Sequence, residues 1–165
     1  MKKIKLFDPV IGKNEENAIK KILHSHNWAS GAGGGSVYEF EKKFSDFLGS
    51  KNCISVNSGT AALHLAGLAL GWKSGDIVIT SPLTFLATAN CILYAGATPD
   101  FVDIDPISYT IDPNKVEKKV KNYRSIGKNV KAIIGIDYAG HPCDWKALRE
   151  IADKYDLQLV NDNCH

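Results

Sequence analysis

The chain has 165 residues, of which 44% are apolar and 23% charged, and its formal net charge is only +2. That balance suits a soluble globular domain with a sizeable core. The lysines are scattered, so there is no electrostatic case for a nucleic-acid or membrane partner, and no stretch approaches the roughly 18 apolar residues of a spanning helix.

The opening MKKIKLFDPVIGKNEENAIKKIL carries a few basic residues but no apolar run of signal-peptide length. Within it NEENAIKKIL predicts a helix. HNWASGAGGGS predicts a flexible glycine-rich loop, and VYEFEKKFSDFLG an amphipathic helix ending at Gly49. The GAGGGS run (31–36) fails as a dinucleotide-binding loop because it follows no strand and precedes a helix outside the strand–helix series. Residues 1–50 therefore read as a lead-in arm, and 51–165 as the layered part of the chain.

From residue 52 the pattern is regular. CISV (53–56) is a short apolar run followed by SGT and the helical stretch AALHLAGLAL. DIVIT (76–80) leads into TFLATANCILYAGA, and DFVDID (100–105) into the polar helix around PNKVEKKVKNY. KAIIGIDY (131–138) precedes DWKALREIADKY, and LQLVN (157–161) is the fifth run. Short continuous apolar runs separated by helices predict strands buried on both faces, hence an α/β fold with a mostly parallel sheet and helices on both faces.

Ligands of such sheets bind beyond the carboxyl ends of the strands. After CISV, Ser58 or Thr60 can cap a helix and Gly59 permits a tight turn. That arrangement is either an anion site suited to phosphate or a plain capped turn. After DIVIT, Phe85 opens the next helix as a core residue or as a lid on a planar ligand. Asp103 and Asp105, before Pro106, read as a turn rather than a metal site, and Asp137, Tyr138, His141 and Asp144 fall in one loop. Asp162, directly after a buried run, needs a cation (Arg, Lys or a protonated ligand nitrogen) unless it is an ordinary strand-end acid. Cys53, Cys91, Cys143 and Cys164 are widely spaced with no CxxC pair, which reads as reduced thiols in a cytoplasmic protein rather than a disulfide framework or zinc site.

The motifs NWASG, EFEKKF, VNSGTAALHLA, GDIVITSPLTFLATANCILYAGATPDFVDIDP, DYAGHPCDW and VNDNCH, in this order, resemble the DegT/DnrJ/EryC1/StrS sugar aminotransferases from about residue 27 to the end. These are fold-type-I enzymes dependent on pyridoxal 5'-phosphate (PLP). The resemblance implies that Gly59, Thr60 and Ala61 hold the cofactor phosphate and that Phe85 stacks on the pyridine ring. It further implies that Asp162 pairs with the ring nitrogen and that His165 contacts the cofactor near its phenolic oxygen. It departs from the family at Asn161 and Asn163, where the family carries an acid and small residues around the aspartate. No lysine here matches the one the family bonds to PLP, so the resemblance is to the N-terminal part of the large domain, without its C-terminal remainder and inactive alone.

The whole enzyme would take its amino group from glutamate and pass it to a keto-sugar nucleotide, as a homodimer. DYAGHPCDW is similar to the pseudaminic-acid branch. The competing expectations are a PLP-dependent sugar dehydratase of the same family and a non-catalytic chain that binds sugar nucleotides or assembles with a complementary polypeptide. An incomplete sheet would also expose an edge and apolar faces that favour aggregation.

Overall fold

The computed structural model describes residues 8–28 and 35–164. They group into two compact units, one up to Ser55 and one from Val56 onward. The predicted glycine-rich loop falls largely outside the described residues, and Gly35 and Ser36 already belong to a helix.

The first unit contains α1 (Lys13–Ser25) and α2 (Gly35–Leu48). Glu15 turns back to accept the Gly12 N–H at 2.7 Å, placing an acid where the helix dipole favours it. The Trp28 indole donates to the carbonyls of Ile22 (3.1 Å) and Leu23 (3.3 Å), which the end of α1 would otherwise leave open. Phe40 and Phe44, one turn apart on α2, stack at 5.6 Å. The helix stops at Gly49, whose φ of 65° favours glycine. Glu41 accepts from the N–H and O–H of Ser55 at 2.8 and 2.7 Å, tying the segment after α2 back onto it.

The second unit is an α/β layer structure. In chain order it comprises α3 (Gly59–Ala69), β1 (Asp76–Thr80), α4 (Leu86–Tyr94), β2 (Thr98–Phe101), α5 (Pro113–Ser125), β3 (Asn129–Ile136), α6 (Trp145–Tyr155) and β4 (Gln158–Asp162). The strands form one parallel sheet in the order β2-β1-β3-β4. Alternation along the strands feeds two cores. Ile77, Ile79 and Ile133 pack with Val116, Val120, Leu148 and Ile151 of α5 and α6. Val78, Ala132 and Ile134 pack with Leu63, Ala87, Cys91 and Ile92 of α3 and α4. Every residue of β1 is buried, which is why its centre, Ile77 to Ile79, is apolar without alternation.

Two strand expectations change. CISV is not a strand: it pairs with no strand among the described residues, and Ile54 is 79% exposed. Apolar character alone does not make a strand without a neighbouring ladder to satisfy its backbone. The run expected at 100–105 forms its strand two residues earlier, as β2. Pro99 is tolerated there because β2 is an edge strand. Beyond it, Ile104 bridges Ile111 around a turn in which Asp105 accepts from the N–H groups of Ile107 and Ser108.

Gly135 is required by packing rather than by its backbone angles. A Cβ there would lie 2.6 Å from the Trp145 ring and 3.3 Å from Cys143 Sγ. The indole thus lies directly over β3. At the opposite end of the sheet, Trp72 donates to Gln158 (2.8 Å), whose amide donates to Leu70 O (2.9 Å), fixing the start of β4 against the end of α3.

Candidate functional site

The chain leaves β1 towards β2 on one side and β3 towards β4 on the other, so the strand order reverses between the two central strands. The crevice at their carboxyl ends is where an open parallel sheet offers a ligand site. The groups collected there are Thr84 and Phe85 after β1, Asp137 and Tyr138 after β3, and Asp162 and Cys164 at the end of β4, which together line one small hollow.

Phe85 stands at the N-cap of α4 with extended backbone, makes no side-chain cap hydrogen bond, and is 77% exposed. Of the two alternatives, core or lid, it is not core. Asp162, by contrast, is buried, with 6% exposure. Its Oδ2 accepts the Thr88 hydroxyl at 2.6 Å, and its Oδ1 accepts the Cys164 thiol at 2.8 Å. Thr88 is fully buried on the inner face of α4, and its hydroxyl also meets that of Thr84 at 2.7 Å. No ion pair among the described residues involves Asp162.

Nearby thiols register this carboxylate. Burial first, then the Asp162 charge, push Cys91 up to about 11. The hydrogen bond to Asp162, then burial and charge, raise Cys164.

Asp137 is the second buried carboxylate, one strand over. Its Oδ1 accepts from the Cys143 N–H (2.9 Å) and the Trp145 indole (3.0 Å), and its Oδ2 from the Asn161 amide (3.1 Å). Its own N–H donates to Asp162 O at 3.2 Å, joining the two strand ends. Burial, followed by the Asp137 charge and its hydrogen bond, drives the Cys143 thiol up to about 12, so that thiol is inert.

Of the predicted residues, Phe85 and Asp162 meet in one hollow. Gly59, Thr60 and Ala61 form the first turn of α3, capped by Ser58, whose Oγ accepts from Ala61 N at 3.2 Å. Apart from its chain neighbours and its own helix backbone, no atom of the described residues lies within 4 Å of a Cβ built on Gly59. This turn does not line the hollow, although α3 packs on α4, the helix that Phe85 starts. His165 lies outside the described residues. Asp144 caps α6 by accepting from Ala147 N at 3.0 Å, and His141 borders a separate polar groove with Asp105, Asp112 and Asp144.

Asn161, which breaks the family's pattern, is used: its amide binds Asp137. Sequence reasoning missed Thr84 and Thr88. Their signal was two hydroxyls four residues apart at a helix start, with a carboxylate predicted at the same sheet end.

A family model described as the DegT/DnrJ/EryC1/StrS aminotransferase family matches residues 9–165. The spore coat polysaccharide biosynthesis protein SpsC of Bacillus subtilis is 43% identical over 157 residues, covering 95% of this chain and 38% of that protein. GDP-perosamine synthase of Caulobacter vibrioides is 36% identical over 160 residues, covering 97% and 41%. The crystal structure of NtdA from Bacillus subtilis with bound cofactor PMP superposes with a TM-score of 0.79 at 33% identity, covering 89% of this chain and 32% of that one. The chain thus spans about two fifths of the length of the curated relatives it matches.

Proposed function

The chain belongs to the DegT/DnrJ/EryC1/StrS aminotransferase family, and from that premise we propose that its second unit holds PLP for the transfer of an amino group from glutamate to a keto-sugar nucleotide. The observation that carries this reading is Asp162. It is a buried carboxylate whose hydrogen-bond partners among the described residues, Thr88 and Cys164, are both neutral. A carboxylate removed from water calls for a positive charge, and a protonated ring nitrogen supplies one. The exposed Phe85 in the same hollow fits a planar ring.

When bound, PLP supplies an electron-withdrawing ring conjugated to the carbon that carries the amino group. The chain's residues do the rest. Asp162 would hold the proton at the ring nitrogen, and Phe85 would cover one ring face and exclude water from it. The first turn of α3 offers the N–H groups of Gly59 and Thr60, at the positive end of the helix dipole, to the phosphate, while the Ala61 N–H closes the turn on Ser58 Oγ. His165 would attend the phenolic oxygen. This assigns binding and tuning, not bond-making to the cofactor, to residues 56–165. The whole enzyme acts as a cytoplasmic homodimer in this reading.

A fluorescence titration tests it. PLP binds the chain, pyridoxal without its phosphate binds more weakly, and Asp162→Asn weakens PLP about tenfold or more, the size of one lost charge-assisted contact. Equal affinity for PLP and pyridoxal, with no effect of Asp162→Asn, overturns the reading.

A further inference from the structure

We infer that Thr88, supplied by Thr84, is a positioning residue that ties down one oxygen of Asp162 and leaves the other for the cofactor nitrogen. The inference rests on the function proposed above but makes a separate claim about which atoms do the work.

A threonine hydroxyl has one proton to give, and an ionised carboxylate can only accept. Thr88 gives its proton to Asp162 Oδ2 at 2.6 Å, within the short range expected of O–H···O⁻ bonds. In the 2.7 Å contact between the two threonines, Thr88 must therefore accept and Thr84 donate. The chain runs one way, from Thr84 to Thr88 to Asp162.

Two features make it rigid. Thr88 is completely buried, so no water competes for its hydroxyl. Its β-branched side chain, on a helix, has few rotamers to choose from.

The two carboxylate oxygens are consequently unequal. Oδ2 is engaged by a fixed, strong donor. Among the described residues Oδ1 meets the thiol of Cys164, a weak donor on an exposed residue. Oδ1 is the oxygen that turns to a ring N–H, and Thr88 sets the angle at which it does so. Thr84 lines the hollow itself and so carries the chain out to its rim.

The test is a cycle of Thr88→Val, Asp162→Asn and the double variant, with Thr88→Ser as rescue, read first as the PLP dissociation constant of the chain. Thr88→Val is expected to weaken PLP about tenfold, since a hydrogen bond to a charged group is lost, and Thr88→Ser to restore most of the affinity. In the Asp162→Asn background Thr88→Val should add little, because its effect passes through the carboxylate. Two results overturn the inference: Thr88→Val binding PLP as wild type does while Asp162→Asn does not, or Thr88→Val costing the same in both backgrounds.

A cofactor-free reading accompanies the cycle. The Thr88 hydroxyl proton should give a slowly exchanging NMR resonance that moves upfield in Asp162→Asn, as a charged acceptor is replaced by a neutral one. A resonance unchanged in that variant, or averaged with solvent in wild type, overturns the inference as well. If the wild-type chain fails to bind PLP, it is the functional reading that falls, and the hydroxyl resonance decides the positioning claim by itself.

Discussion

Asp137 and Asp162 end neighbouring parallel strands, both are buried, and their backbones are joined by one hydrogen bond. They differ in what surrounds the carboxylate. Asp137 faces three donors from its own fold: a backbone N–H, an indole and an amide. Among the described residues Asp162 faces one firm donor, Thr88, and one weak one, Cys164. The first is a structural acid whose acceptors are spent inside the protein. The second is held more weakly at Oδ1, by the Cys164 thiol, and that is the oxygen the proposed function gives to a ligand.

The largest effect expected is the loss of that structural acid. Asp137→Ala takes the acceptor from three donors, among them the buried Cys143 N–H, and should cost about 3 kcal/mol in a denaturant titration, whereas Asp162→Asn, which keeps an acceptor for Thr88, should stay within about 1 kcal/mol of wild type. Equal losses would erase the distinction between the two.

Gly135→Ala sharpens it from the other side. The new methyl meets the Trp145 ring, so the indole is displaced from Asp137, with an expected loss of about 2 kcal/mol from overpacking and a shift in Trp fluorescence.

Ser58→Ala touches neither acid. It removes the α3 cap and should cost about 1 kcal/mol of stability while weakening PLP more than pyridoxal.

The smallest effect concerns a third kind of acid. At Asp100 burial pushes the pKa up, but Lys119 at 2.7 Å, the Tyr123 hydroxyl at 2.6 Å and the Phe101 N–H outweigh it and hold the carboxyl below its usual range. Its folded pKa is depressed, so its contribution is complete above the unfolded value near pH 4 and fades as pH falls through the folded value. Because the pair is partly exposed, Asp100→Asn should remove only about 0.5 kcal/mol at pH 7 and flatten the acid limb of the stability profile.

Much of this was legible in the sequence, for physical reasons that vary by element. DIVIT matches β1 and KAIIGIDY overlaps β3, which starts and ends two residues earlier, because a central parallel strand is apolar on both faces, and the helices of the second unit were legible as the segments between those runs. CISV misled because its character is that of a strand while its pairing is a tertiary matter; no ladder neighbour exists for it among the described residues. Phe85 and Asp162 were legible as chemistry placed at strand ends, but exposure decided the role open to Phe85. Asn161 looked like a departure that weakened the site, and only the fold shows it serving Asp137. Thr88 was silent because its partner lies 74 residues away.

The central claim is that Asp162 holds a proton on the ring nitrogen of bound PLP. The most direct test is the ¹⁵N chemical shift of ring-labelled PLP bound to the chain near pH 8. The account predicts a pyridinium shift in wild type and in Asp137→Asn, and a neutral-pyridine shift in Asp162→Asn. A ring nitrogen that is neutral in wild type, or still protonated in Asp162→Asn, would contradict it.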